Sequence, residues 1–305
     1  MTLPTMDTQV SYPAGQTEST ATVLHVEPLP TGLLAVLLDT TPVHPVDAGW
    51  PDQGPDRAVL RAQGIELPVL DCVVGATDGS ALHLGRDIPV PKGTPGWAFV
   101  VAHIVQPHAA LIEGQPVDAV VDTGYRRRMS AGHTACHLAS LALNLALANR
   151  WKKDVRTDAL GSPDFDGTAI DVSLIGENES VDTYRLGKSL RRKGFVTEEL
   201  ADQLAEIESM LNTSLAGWVA TDASVRIDRD GPLLTDRRYW VCELPAHDVR
   251  IPCGGTHVSS LAELGAVRVA LSTTDVEGTT VLTMETFVGR SALGARRLRP
   301  AQVGT

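Results

Sequence analysis

Long apolar runs are missing from this chain. No stretch reaches the roughly 18 residues that a membrane-spanning helix needs, so no helical membrane span and no membrane partner are expected. The opening residues, MTLPTMDTQV, lack the basic start and apolar core of a secretory signal, and the expected location is the cytoplasm. Cysteine is scarce, with four in 305 residues. Cys72, Cys136, Cys242 and Cys253, in a chain without an export signal, do not read as a disulfide framework, which leaves burial or metal chemistry to explain them. For Cys72 and Cys242 the expectation is a small buried hydrophobe. An excess of cations is absent too: the formal net charge is -11. Overall charge therefore does not favour nucleic acid, and DNA is not an expected partner.

What is present is ordinary globular composition, 43% hydrophobic and 21% charged, in a length that suits one large domain or two smaller ones. The cations that exist are clustered as Arg126-Arg127-Arg128, Lys152-Lys153, Arg191-Arg192-Lys193 and Arg237-Arg238. They read either as solvated faces or as a local basic surface. The first part holds short β-type runs punctuated by Pro and Gly, the signature of a small antiparallel barrel or sandwich. The segment HPVDAGWPDQGPDR within it is too rich in Pro and Gly for a regular element and has the length of a functional loop. After about residue 116 the character changes. Residues 130–150 are Leu- and Ala-rich and apolar on nearly all sides, which predicts a buried central helix with Ser130 as its N-cap. Residues 197–215 carry the stripe Leu200, Leu204, Ile207, Leu211, which predicts a second helix with an acidic first turn. Strand-like runs follow. The expected class is α+β: a β-barrel-like N-terminal domain over 1–115 and a mixed α/β domain over 116–305.

Two motifs carry chemistry. His133-Thr134-Ala135-Cys136-His137 places two imidazoles one helical turn apart on one face. The zincin protease motif needs Glu after its first His as general base; Thr134 stands there, which disfavours a protease. Cys253-Gly254-Gly255-Thr256-His257 sets a thiol and an imidazole four residues apart across a turn that glycine lets fold tightly. Three His and one Cys are the borderline-soft donors that suit tetrahedral Zn2+. Cys136 reads as a packed thiol. Gly187-Lys188-Ser189 ends like a phosphate-binding loop, but Asp182 occupies the required upstream Gly position. Asp164, Asp166 and Gly167 do not keep calcium-loop register.

HxxxH on a helix, followed over a hundred residues later by CGGTH, resembles the editing domain of alanyl-tRNA synthetase and its freestanding AlaX-like relatives, to which the threonyl-tRNA synthetase editing domain is related. Asp122, Arg127, Met129 and His133 to Ala135 resemble the family's approach to its zinc helix. The family's N-terminal motif, YP.GGGQP.D.G, is matched here by His44-Pro45, Gln53 and Asp56, with Trp50-Pro51-Asp52 in place of the glycine triplet.

The resemblance implies one Zn2+ held by His133, His137, Cys253 and His257, and hydrolysis of the ester joining serine or glycine to the tRNA for alanine. No synthetase module is visible, so action in trans on the aminoacylated acceptor end of tRNA is expected. Gln53 is a candidate for positioning the water or the aminoacyl group. Asp122 is a candidate base, or an ion-pair partner of Arg126 or Arg127. Thr256 is a candidate pocket hydroxyl, or a turn hydrogen bond. Arg126, Arg127, Arg191 and Arg192 are candidate tRNA contacts. Two other readings stay open: a zinc hydrolase of another acyl ester or misacylated tRNA, and a non-enzymatic, zinc-stabilised tRNA-binding module.

Overall fold

Alternating apolar residues in the first part of the chain build an eight-stranded sheet, antiparallel at every pairing. A computed structural model describes residues 3–245 and 247–289; Ala246 and residues 290–305, the end of the expected second domain, lie outside the described residues. The strand order is Ile65–Val69, Ala58–Ala62, Pro116–Val121, Glu18–Pro28, Leu34–Leu38, Ala98–Val105, Asp71–Thr77, Leu82–Leu84. The middle strands are buried on both faces. Val36, Leu38, Phe99 and Val101 join the larger core, while their neighbours Ala35, Leu37, Val100 and Ala102 point to the opposite face, as a period of two requires. The sheet curls until Ile65–Val69 approaches Ala98–Val105. It is a half-barrel with two edges, where the sequence led us to expect a barrel. Pro116–Val121, which composition groups with the second part, hydrogen-bonds between two strands of this sheet.

The chain then enters its central helix, Thr123–Ala146. Its N-cap is Asp122, whose Oδ1 accepts from the Tyr125 N–H at 2.9 Å, satisfying one of the free donors of the first turn. Ser130, the expected cap, is instead buried about two turns inside the helix. The helix lies against a second antiparallel sheet in the order Ile170–Gly176, Glu179–Arg185, Thr279–Val288, Val267–Val276. Gly132 permits the closest approach: a Cβ there would stand 2.4 Å from the Gly176 carbonyl oxygen and 2.6 Å from that of Glu179.

The second helix is Leu204–Val219 and starts later than expected. Residues 198–203 form turns, and Glu199 has a left-handed φ of 57°, incompatible with a continuing helix. The stripe Ile207, Leu211, Leu215 is buried as the periodicity requires. A three-stranded sheet, Val225–Arg229, Arg238–Glu243 and Asp248–Pro252, completes the architecture. Its last strand ends immediately before Cys253.

All four cysteines are free and buried. The Cys136 thiol faces Asp182, whose carboxylate also accepts from Ser173 Oγ at 2.6 Å and Ser180 Oγ at 3.1 Å. Burial pushes that carboxyl up to about 6. Among the described residues no helix is long and apolar enough to cross a membrane.

Candidate metal centre

The central helix presents His133 and His137 one turn apart, and the Gly254-Gly255 turn brings His257 back beside Cys253. Their four donor atoms lie within 4.8 Å of one another. Cys253 Sγ stands 3.5 Å from His133 Nε2 and 3.2 Å from His257 Nε2. Donors about 2.0–2.3 Å from a tetrahedral ion are separated by roughly 3.3–3.7 Å, so these distances suit one ion. His137 Nε2 is buried without a hydrogen-bond partner. Such an orphan is costly unless a cation takes its lone pair.

Electrostatics agree with this fit. Burial, reinforced by neighbouring imidazoles, holds His137 at about 3 and His257 well below the usual histidine range; burial, reinforced by His44, holds His133 at about 3. Burial pushes the Cys253 thiol up to about 12. Without an ion the cluster is therefore uncharged, with imidazole lone pairs free. A dication would supply the positive charge that stabilises a thiolate.

Behind the donors a layer of hydrogen bonds sets ring orientation. His133 Nδ1–H donates to Gln53 Oε1 at 2.7 Å, which turns Nε2 toward the cluster. Gln53 Nε2 donates to Thr256 Oγ1 at 2.9 Å, and the Thr256 N–H returns to Gln53 Oε1 at 3.0 Å. Ser130 Oγ donates to the same Thr256 hydroxyl at 2.9 Å. His257 Nδ1–H donates to Thr134 Oγ1 at 3.1 Å. Gly255 is the tightest point of the turn: a Cβ there would lie 2.3 Å from His133 Cε1 and 2.5 Å from Gln53 Oε1.

A cavity of about 490 Å³ reaches the cluster from the side of Cys253, Gly254 and Gly255. Tyr12, His44, Trp50, Asp52 and Arg238 are among its walls. Asp52 Oδ2 sits 3.6 Å from His133 Nε2 and accepts from the Trp50 indole N–H at 2.9 Å. Burial pushes its carboxyl above the usual range. Sequence reasoning met Asp52 only as a departure from a glycine motif. The one available signal was a carboxylate beside Gln53 in a Pro- and Gly-rich loop.

The other expected site residues scatter. Gln53 and Thr256 stand behind His133, bonded to each other. Asp122 is a helix cap about three turns from His133; its carbonyl accepts the Arg126 N–H at 2.9 Å, while the side chains of Arg126 and Arg127 pair with Asp56 and Glu263 instead. Arg126, a candidate tRNA contact, is turned inward: its Nε donates to Asp56 Oδ1 at 2.7 Å and its Nη2 to the Pro42 carbonyl at 2.7 Å. The Asp56 carboxylate also accepts the His44 N–H at 2.6 Å. This pair pins the loop bearing Asp52 and Gln53 to the central helix. Arg127 is exposed, 3.8 Å from Glu263. Arg191 and Arg192 are exposed on the short helix Lys188–Arg192. Lys153 Nζ donates to the Arg192 carbonyl at 3.0 Å, so two basic clusters remote in sequence adjoin.

No family model matches the chain. Relatives of established name do. The alanine–tRNA ligase of Acetivibrio thermocellus is 26% identical over 289 residues, 91% of this chain and 28% of the ligase. That of Frankia alni is 28% identical over 278 residues, 88% of this chain and 26% of the ligase. That of Synechocystis is 26% identical over 277 residues, with 88% and 26% covered. The chain spans about a quarter of the length of these curated relatives. The resemblance carried by HxxxH and CGGTH thus holds along nearly the whole chain, and its homologues are alanine–tRNA ligases.

Proposed function

We propose that this chain is a zinc-dependent hydrolase that removes serine or glycine wrongly esterified to the tRNA for alanine. The observation that carries the reading is the three-histidine, one-cysteine cluster beside a cavity that Cys253 lines, in a chain similar to alanine–tRNA ligases. Three imidazoles and a thiolate favour Zn2+ among the late first-row ions, and His133, His137, Cys253 and His257 would hold it. A bound zinc ion supplies Lewis acidity toward the ester carbonyl. The protein contributes the rest. Gln53, steadied by Thr256, holds His133 in the required tautomer. The cavity admits the aminoacyl ester. Exposed Arg127 and the joined Lys152-Lys153 and Arg191-Arg192 clusters offer phosphate contacts, so tRNA binding should weaken as salt rises.

One observation favours a second reading: four protein donors already complete a tetrahedron, as in structural zinc sites. A zinc-stabilised tRNA-binding module would hold the same metal and the same tRNA without turnover. Deacylation of seryl-, glycyl- and alanyl-tRNA for alanine by the zinc-loaded chain, with His133→Ala as control, separates them. Loss of serine and glycine with alanine spared, abolished in the variant, supports the hydrolase. Zinc and tRNA bound without turnover would overturn it in favour of the module.

A further inference from the structure

We infer that Asp52 recognises the α-ammonium group of the aminoacyl ester, an assignment that rests on the deacylase reading. Asp52 lines the cavity together with Cys253, and its Oδ2 stands 3.6 Å from His133 Nε2. An ester carbonyl brought to the donor cluster carries its ammonium group on the adjacent carbon, within reach of a carboxylate beside that cluster.

The charge balance points the same way. Asp52 is 17% exposed at its side chain, and among the described residues no lysine or arginine forms an ion pair with it. Of the three cations that line the cavity, Lys92 Nζ is engaged with Asp47 at 2.9 Å and Arg238 with the Tyr12 hydroxyl and the Leu234 carbonyl, while Arg237 is solvent-exposed. A carboxylate so far withdrawn from water is stabilised by cations beside it: a dication held by His133 would be one, and the substrate ammonium would be a second.

The group is also pre-positioned. Its Oδ2 accepts from the Trp50 indole at 2.9 Å and its Oδ1 from the Gln53 N–H at 2.8 Å, and each oxygen keeps a further lone pair. The Asp52 carbonyl accepts from the Ile175 N–H at 2.8 Å, fixing the loop against the second sheet.

The test crosses one substrate change with one protein change. Seryl-tRNA for alanine is compared with its deaminated counterpart, in which a hydroxyl replaces the α-ammonium, using wild type and Asp52→Asn at matched zinc content and circular dichroism. Rates are normalised to spontaneous hydrolysis. A hydrogen bond to a charged group is worth roughly 10–150-fold. Wild type should lose about that factor in kcat/KM on the deaminated ester, Asp52→Asn should lose it on the seryl ester, and the two losses should not add. Equal loss by Asp52→Asn on both esters, or a deaminated ester cleaved by wild type as fast as the seryl ester, overturns the assignment of Asp52 alone. The wild-type comparison decides even if the variant fails to fold. Absence of turnover of either ester by wild type overturns the deacylase reading and this inference together.

Discussion

Gly255→Ala is expected to lower metal affinity by roughly 10–100-fold, the range found when groups supporting a ligand are disturbed, and to cost ~1–3 kcal/mol of stability as overpacking. The added methyl would meet His133 Cε1 at 2.3 Å, His133 Nδ1 at 2.5 Å and Gln53 Oε1 at 2.5 Å. None of these atoms is the free end of a flexible side chain. His133 is held on a buried helix, and Gln53 is tied to Thr256. Either the turn must withdraw Cys253 and His257 from the helix, or His133 must rotate away from its partners. Gly254→Ala is the matched control. A Cβ there meets nothing within 4 Å, so metal affinity should hold. A competition titration against a chelating dye measures both; equal affinity in the two variants would contradict the geometry.

Asp56→Ala is expected to be the most destabilising single change in the loop. It leaves Arg126 buried and charged beside an empty carboxylate position, and breaking a buried pair in this way costs about 3–5 kcal/mol. It also strips the His44 N–H of its acceptor. The loop from Pro42 to Asp56 would then be held to the helix by the Arg126 contact with the Pro42 carbonyl and by the Gln53–His133 hydrogen bond. Because that loop carries Gln53, metal affinity should fall along with stability. Arg57→Ala tests the alternative that any charge lost from this region matters. Arg57 is exposed, and its pair with Glu177 spans 3.3 Å at the surface, so the expected change is within about 0.5 kcal/mol. Urea denaturation of the three proteins checks this, and a near-neutral Asp56→Ala would refute the anchoring role.

The cluster of three histidines and one cysteine was legible in the sequence because each half is local. An i, i+4 pair on a helix and a Cys-x-x-x-His turn show their spacing without knowledge of the fold. The central helix was legible for a similar reason: apolar residues all round it imply burial on all sides. Its start was not, because Ser130 mimics a cap while Asp122 performs that role beyond a triple arginine run that reads as surface. Within that run, Arg126 alone turns inward, since only its direction meets Asp56, and a run of like charges does not reveal which member does so. Cys136 sits between His133 and His137 in sequence, yet it lies about 100° around the helix from His137 and meets Asp182 instead. Asp52 was hidden because its relation to His133 is made by a loop folding across 81 positions of chain. Nothing in local spacing reports such a contact.

The central claim, that His133, His137, Cys253 and His257 hold one metal ion, is tested most directly by elemental analysis with cobalt substitution of the purified chain and its Cys253→Ser variant. One equivalent of zinc per chain, and a thiolate-to-cobalt charge-transfer band that disappears in the variant, is the result predicted. A chain that folds with no stoichiometric metal, or a cobalt spectrum indifferent to Cys253, would contradict it.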